Sequence, residues 1–188
     1  HWPICYEMFN EIDYTKGVDV SWWKNHPEWT SMFAWNYQDD FFGGYDHGKG
    51  AGIVSFANHY VAPGKKFWEW SNGPRGWMWE KIITETDGPH LELMTGAYSD
   101  NQPDYSWLQP YEAKVIKMFW YPLREIGGLK NANLQAAVNL DVTEKNIAKL
   151  GFNTTSQYSN AKVMLKAGDK IIFEQETDIS PDKPFCKE

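Results

Sequence analysis

No stretch of this 188-residue chain sustains an apolar period of 3.6 over three helical turns, and that excludes an α-helical core before any motif is considered. Short runs rich in Val, Ile, Phe, Trp and Tyr stand at 30–35, 51–59, 66–70, 90–96, 112–121, 135–142, 161–166 and 170–176. Turn-formers separate them: Phe42-Gly43-Gly44-Tyr45, His47-Gly48-Lys49-Gly50, Pro63-Gly64, Asn72-Gly73-Pro74, Asp87-Gly88-Pro89 and Ala167-Gly168-Asp169. The reading is all-β, an antiparallel sandwich, with at most one helical turn at 142–150 behind a Thr143 cap. Ala167-Gly168-Asp169 predicts a tight hairpin. In the strand before it Val163 and Leu165 share one face, and Lys162 and Lys166 the other.

Composition narrows the function classes. The net charge of −7 and a sequence pI near 5.2 leave no basic stripe to neutralise phosphates, so a nucleic-acid partner is not expected. No run approaches the roughly 18 apolar residues of a membrane span, and mean hydropathy is −0.60. Every Trp and His lies before Asp141, which suggests a domain over 1–141 and a β-rich accessory module or linker over 142–188. Cys5 and Cys186, at opposite ends, have the spacing of neither a metal knuckle nor a redox pair and read as two free thiols, with a disulfide joining the termini as the alternative. No His pair has the i,i+2 or i,i+4 separation of a local chelate, so neither a metal nor another cofactor is expected. Asn153-Thr154-Thr155 has the form of a glycosylation acceptor. A chain that begins with His, with no leader pattern, reads as a piece of a longer polypeptide.

The stretch His90 to Tyr111 carries the chemistry. Glu92, Asp100 and Asp104 are acids or bases, Asn101, Gln102 and Gln109 offer paired donors and acceptors, and Tyr105, Trp107 and Tyr111 supply flat faces. A pyranose presents hydroxyls that want such bidentate partners and a C–H face that stacks on rings, so the expected ligand is a carbohydrate. Glu92 lies between Leu91 and Leu93 in a short strand and faces away from both. Trp68 and Trp70, separated by Glu69, point the same way, either as a stacking floor or as part of the core. Asp46 and His47 occupy a Gly-rich loop. A strand follows them where a phosphate loop requires a helix, so Asp46 either satisfies turn N–H groups or faces a ligand. His59 ends a strand, placed for proton transfer or for a bond to a carbonyl.

Several of these segments in order resemble the DUF5107 family: Phe42-Gly43-Gly44-Tyr45-Asp46-His47, Pro63-Gly64-Lys65-Lys66 with Trp68 and Trp70, Asp87-Gly88-Pro89 leading to Glu92-Leu93, Gly96-Ala97-Tyr98, Asp100-Asn101-Gln102-Pro103-Asp104-Tyr105-Ser106-Trp107 with Pro110-Tyr111-Glu112, and Trp120-Tyr121-Pro122. The resemblance covers roughly Trp29 to Asp141. It implies a bacterial protein of the cytoplasm, periplasm or cell surface, a galactose mutarotase-like supersandwich of which this chain is the later part, and tetratricopeptide repeats behind it. The remainder of its own polypeptide would then be its partner. It also implies action on glycans, as a glycoside hydrolase or a sugar epimerase, or else binding alone, or a structural role beside helical repeats. In either catalytic scheme Glu92 with Asp104 or Glu112 serves as base, and His47 or His59 as acid in the epimerase one. A retaining hydrolase sets its two carboxyls about 5–5.5 Å apart.

Overall fold

The computed structural model describes residues 4–34, 37–101 and 103–188. Sixteen strands follow one another: β1 (Ile4–Cys5), β2 (Met8–Phe9), β3 (Ile12–Asp13), β4 (Val18–Asp19), β5 (Thr30–Phe33), β6 (Phe41–Asp46), β7 (Ala51–Phe56), β8 (Lys66–Glu69), β9 (Leu91–Met94), β10 (Phe119–Arg124), β11 (Asn131–Ala132), β12 (Ala136–Val142), β13 (Ala148–Thr154), β14 (Tyr158–Ala167), β15 (Lys170–Ile179) and β16 (Phe185–Lys187). Every named pairing is antiparallel. One α-helix, α1 (Pro74–Trp79), runs on into a π-helical turn at Glu80–Thr84. The all-β reading therefore holds. The chain divides into two compact units, residues 1–37 with 59–116 and residues 38–58 with 117–188.

In the second unit the three-stranded sheet β10-β7-β6 faces the four-stranded sheet β11-β12-β13-β16. Val54 and Leu123 of the first pack with Ile126, Ala132 and Ala137 at the second. Alternation along β13 then uses both faces of the four-stranded sheet. Gly151 and Asn153 turn toward Ile126 and Arg124, whereas Leu150 and Phe152 turn to the β14–β15 hairpin and pack with Val163, Ile179 and Phe185. Gly168, at φ +58°, closes that hairpin, and Val163 is buried while Lys162 and Lys166 are exposed, as the alternation predicts.

Asn153 fastens this unit. Its side chain is buried, its Oδ1 accepts the Arg124 N–H at 3.0 Å, and its Nδ2 donates to the Ser180 and Pro181 carbonyls at 3.2 Å each. An amide so committed is closed to glycosylation in the folded chain, so the acceptor motif is spent on structure.

In the first unit the sheet β5-β8-β9 turns Phe67 and Glu69 toward a segment that carries Tyr14, Val20 and His26. Glu69 and His26 are 2% and 0% exposed. His26 Nε2 meets the Val20 carbonyl at 2.8 Å, His26 Nδ1 stands 3.7 Å from Glu69 Oε2, and Glu69 Oε1 accepts the Ser71 N–H at 2.8 Å. Burial pushes the Glu69 carboxyl up to about 8 and holds His26 below its ordinary value, against the raising effect of the Val20 carbonyl.

Three local expectations change. Gly43 and Gly44 lie inside β6 rather than in a turn, because a Cβ at Gly43 would strike the Ile53 carbonyl across the ladder. The anticipated helical turn at 142–150 is the connection of the β12–β13 hairpin, where Thr143 Oγ1 accepts the Ile147 N–H at 3.2 Å. The helix instead begins at Pro74, where proline at the first helical position needs no N–H partner. The run 112–121 is strand only from Phe119. The composition change near Asp141 falls within the β12–β13 hairpin, where Asp141 pairs with Lys149. Cys5 and Cys186 are free thiols. No helix among the described residues is long and apolar enough to cross a membrane.

Two outcomes are expected of this core. Asn153→Ala strips partners from one N–H and two carbonyls and lowers stability by about 3 kcal/mol, read as a shift in the denaturant midpoint. The second concerns pH. Folded Glu69 keeps a proton that the unfolded chain releases near 4.5, so its contribution falls as pH rises toward 8. His26 acts oppositely, but only below its unfolded value of 6.5. Above 6.5 the Glu69 contribution stands alone, and stability declines by about 2 kcal/mol up to pH 8. In Glu69→Gln that decline disappears from a series of urea melts.

Candidate functional site

Register sets the site. Trp68 of β8 pairs with Ser31 of β5 and with Glu92 of β9, so the three side chains stand in a row on the face opposite Phe67 and Glu69. Phe33, Lys66 and Met94 form the next row on the same face. Lys66 Nζ lies 5.5 Å above the Phe33 ring and donates to the Asp100 carbonyl at 3.1 Å, which ties the following loop to this face.

Glu92 is the centre of the cluster. Its Oε1 accepts the Trp70 indole N–H at 3.2 Å and lies 3.2 Å from His90 Nε2. The His90 and Glu92 side chains are 23% and 32% exposed, half-covered rather than buried. Trp70 packs on Trp79 of α1 with ring centroids 5.4 Å apart and planes inclined by 48°. No described residue donates to Glu92 Oε2. The indole N–H of Trp68, shielded from solvent, also finds no acceptor among the described residues. The face thus combines a carboxylate oriented through one oxygen, an imidazole on that same oxygen, and adjoining indole rings.

The structure brings together two of the residues expected from sequence, Glu92 and Trp70, and adds two that the sequence reading does not assign, His90 and Trp79. His90 had a readable signal, since positions i and i+2 in extended chain share a face. Trp79 had none. Its approach to Trp70 depends on the turn at Ser71 and on α1.

The loop after β9 is arranged differently. Asp104 N donates to the Asn101 carbonyl at 3.0 Å, and Tyr105 meets Trp107 edge-on at 5.2 Å, with both rings mostly exposed. Burial and the neighbouring Asp100 and Asp104 carboxylates hold the Tyr98 phenol above its ordinary range. Glu112 caps its own turn: its Oε2 accepts the Gln109 N–H at 2.8 Å while its N–H donates to the Gln109 carbonyl at 2.9 Å. Tyr111 in that turn is fully exposed at φ +67°. Among the described residues neither Asp104 nor Glu112 joins Glu92 by a hydrogen bond. Gln102 lies outside the described residues.

The imidazoles named as acids have ring neighbours of their own. His59 stacks on exposed Tyr60 at 4.0 Å in the first unit. His47 belongs to the second unit, edge-on to Tyr45 at 5.1 Å and close enough to Asp141 to help hold that carboxyl below its ordinary range, after the larger effects of the Asn139 and Lys130 hydrogen bonds. Beside it, Asp46 Oδ1 accepts the Gly48 and Lys49 N–H groups at 2.8 and 3.1 Å, which is the turn-closing role. No group of three or more His, Cys, Asp or Glu side chains among the described residues is placed to hold a metal ion.

Two family models match successive parts of the chain. The family model for a YphG-like protein's second domain matches residues 131–188, over β11 to β16. No solved structure matches the chain. The model of the domain of unknown function DUF5107 matches residues 7–124, which include β5, β8, β9 and the whole Glu92 cluster, and the chain belongs to the DUF5107 family.

Proposed function

We propose that the DUF5107 part of this chain is a carbohydrate-active domain of galactose mutarotase-like ancestry that acts on glycans at the Glu92 face. The observation that carries the reading is the sharing of Glu92 Oε1 between Trp70 and His90, with Oε2 left open beside the Trp70–Trp79 rings. Two donors fix the carboxylate plane, so the open oxygen is aimed without losing side-chain entropy when a ligand arrives. A sugar ring laid on the indoles buries its C–H face and presents its hydroxyls to that oxygen. Glu92 Oε2 is placed to accept a proton from a sugar hydroxyl, while the His90 N–H, donating to Oε1, keeps the carboxylate oriented.

Hydrolysis asks for a second carboxyl across the bond, about 5–9.5 Å from the first. The engagement of Glu112 in its own turn favours, as a second reading, a module that binds glycan without cleaving it.

A product and binding screen over an oligosaccharide panel separates the readings. On the enzyme reading Glu92→Gln lowers turnover by roughly 1,000-fold or more while affinity changes by less than about threefold. Trp79→Ala weakens binding by about tenfold in either case, through the lost ring face. Binding by the wild type with no product moves the assignment to the binding module, and absence of binding across the panel overturns both.

A further inference from the structure

Behind the Glu92 face, two buried acceptor atoms stand 3.7 Å apart with no hydrogen bond between them. His26 Nε2 carries a hydrogen, because its partner at 2.8 Å is the Val20 carbonyl, which only accepts. A neutral imidazole then presents a bare lone pair at Nδ1, 3.7 Å from Glu69 Oε2. Both atoms are buried, and neither has another partner among the described residues. Two bare lone pairs facing each other repel, so the pair closes only with a hydrogen between them.

The other carboxylate oxygen holds the corner that follows. Ser71, at φ +88°, donates its N–H to Glu69 Oε1. Ser71 Oγ donates to the Pro27 carbonyl at 2.7 Å and accepts the Gly73 N–H at 2.8 Å, while Asn72 N donates to the His26 carbonyl at 2.8 Å. Gly76 of α1 lies so close to the Ser71 carbonyl that no Cβ fits there. Trp70 immediately precedes this corner, and α1, which carries Trp79, immediately follows it.

We propose that Glu69 and His26 form a one-proton latch that positions Trp70 and Trp79 for the Glu92 face, so that loss of the shared proton loosens the corner and separates the two rings. Only the meaning of this for a ligand rests on the carbohydrate reading; the latch itself does not. Glu69 and His26 are positioning residues, acting through the Ser71 corner. Burial holds the last proton on the carboxyl, so it leaves on the alkaline side of neutrality. The groups facing the pair do not supply a replacement. The Tyr14 phenol donates to the Asn25 carbonyl at 3.2 Å, the Lys65 ammonium lies over the Tyr37 ring, the Phe67 ring is edge-on to His26, and Arg75 of α1 pairs with Glu28 at the surface. The Tyr14 phenol is raised by burial first, then by Glu69 and by Cys5. On the Trp70 side stand Glu92 and His90.

The test is a nitrogen-15 NMR titration of the full chain across the alkaline side of neutrality, following the Ser71 amide and the Trp70 indole N–H. Wild type, Glu69→Gln and His90→Gln are compared. A Gln at 69 keeps the acceptor for Ser71 and places an N–H against His26 Nδ1, so it holds the latch shut at every pH. His90→Gln removes the other ionisable neighbour of the Trp70–Glu92 bond. Both resonances are expected to move with one common midpoint in the wild type and in His90→Gln, and to stay still in Glu69→Gln. A Ser71 amide that titrates while the Trp70 indole does not overturns the positioning role, and two still resonances in the wild type overturn the latch. The wild-type titration decides this even if a variant fails to fold. A protein that binds no glycan but shows the common midpoint loses the carbohydrate reading alone.

Discussion

A carboxyl and an imidazole buried together are the constraint on which the first unit depends. Glu69 and His26 are almost wholly excluded from solvent, and each has one strong hydrogen bond to backbone and one atom turned toward the other. Interiors tolerate such groups only when their hydrogen-bonding capacity is used and their charge is suppressed. Burial keeps the pair neutral, and a hydrogen between His26 Nδ1 and Glu69 Oε2 would use the remaining capacity of both. The pair joins a segment near residue 26 to the end of β8, a junction that the two-residue ladders β1–β4 and β2–β3 are too short to provide.

From that junction the candidate site follows mechanically. A strand alternates its faces, so the chain that buries Glu69 on one side presents Trp68 and Trp70 on the other. Cross-strand register then sets Glu92 beside Trp68, and the Ser71 corner returns the chain through α1 so that Trp79 reaches Trp70. The buried acid and the half-exposed acid are two faces of one sheet, and the first stabilises the geometry of the second.

The second unit solves a similar problem with a neutral group. One amide, Asn153, satisfies an N–H from β10 and two carbonyls after β15, joining three pieces of chain that no continuous ladder connects. An amide does this without a charge to suppress because it offers donor and acceptor at once. The unit therefore gains its cross-links without the pH sensitivity that the Glu69–His26 pair brings to the other one.

The sequence by itself determined the all-β class, the Ala167-Gly168-Asp169 hairpin, the alternation of Val163 with its charged neighbours and the placing of Glu92 on the face opposite Leu91 and Leu93, because those depend on periods of two and on the turn preferences of a few adjacent residues. The family was legible in the same way, from local segments such as Asp100-Asn101-Gln102-Pro103-Asp104. Only the tertiary structure decided that Asn153 is spent on packing, that Glu112 closes its own turn, and that Glu69 meets His26 and Trp70 meets Trp79. These are encounters between residues brought together by the paths of separate chain segments, and a local pattern carries no record of which partner a side chain meets. Loop closure and burial choose that partner when the whole unit folds.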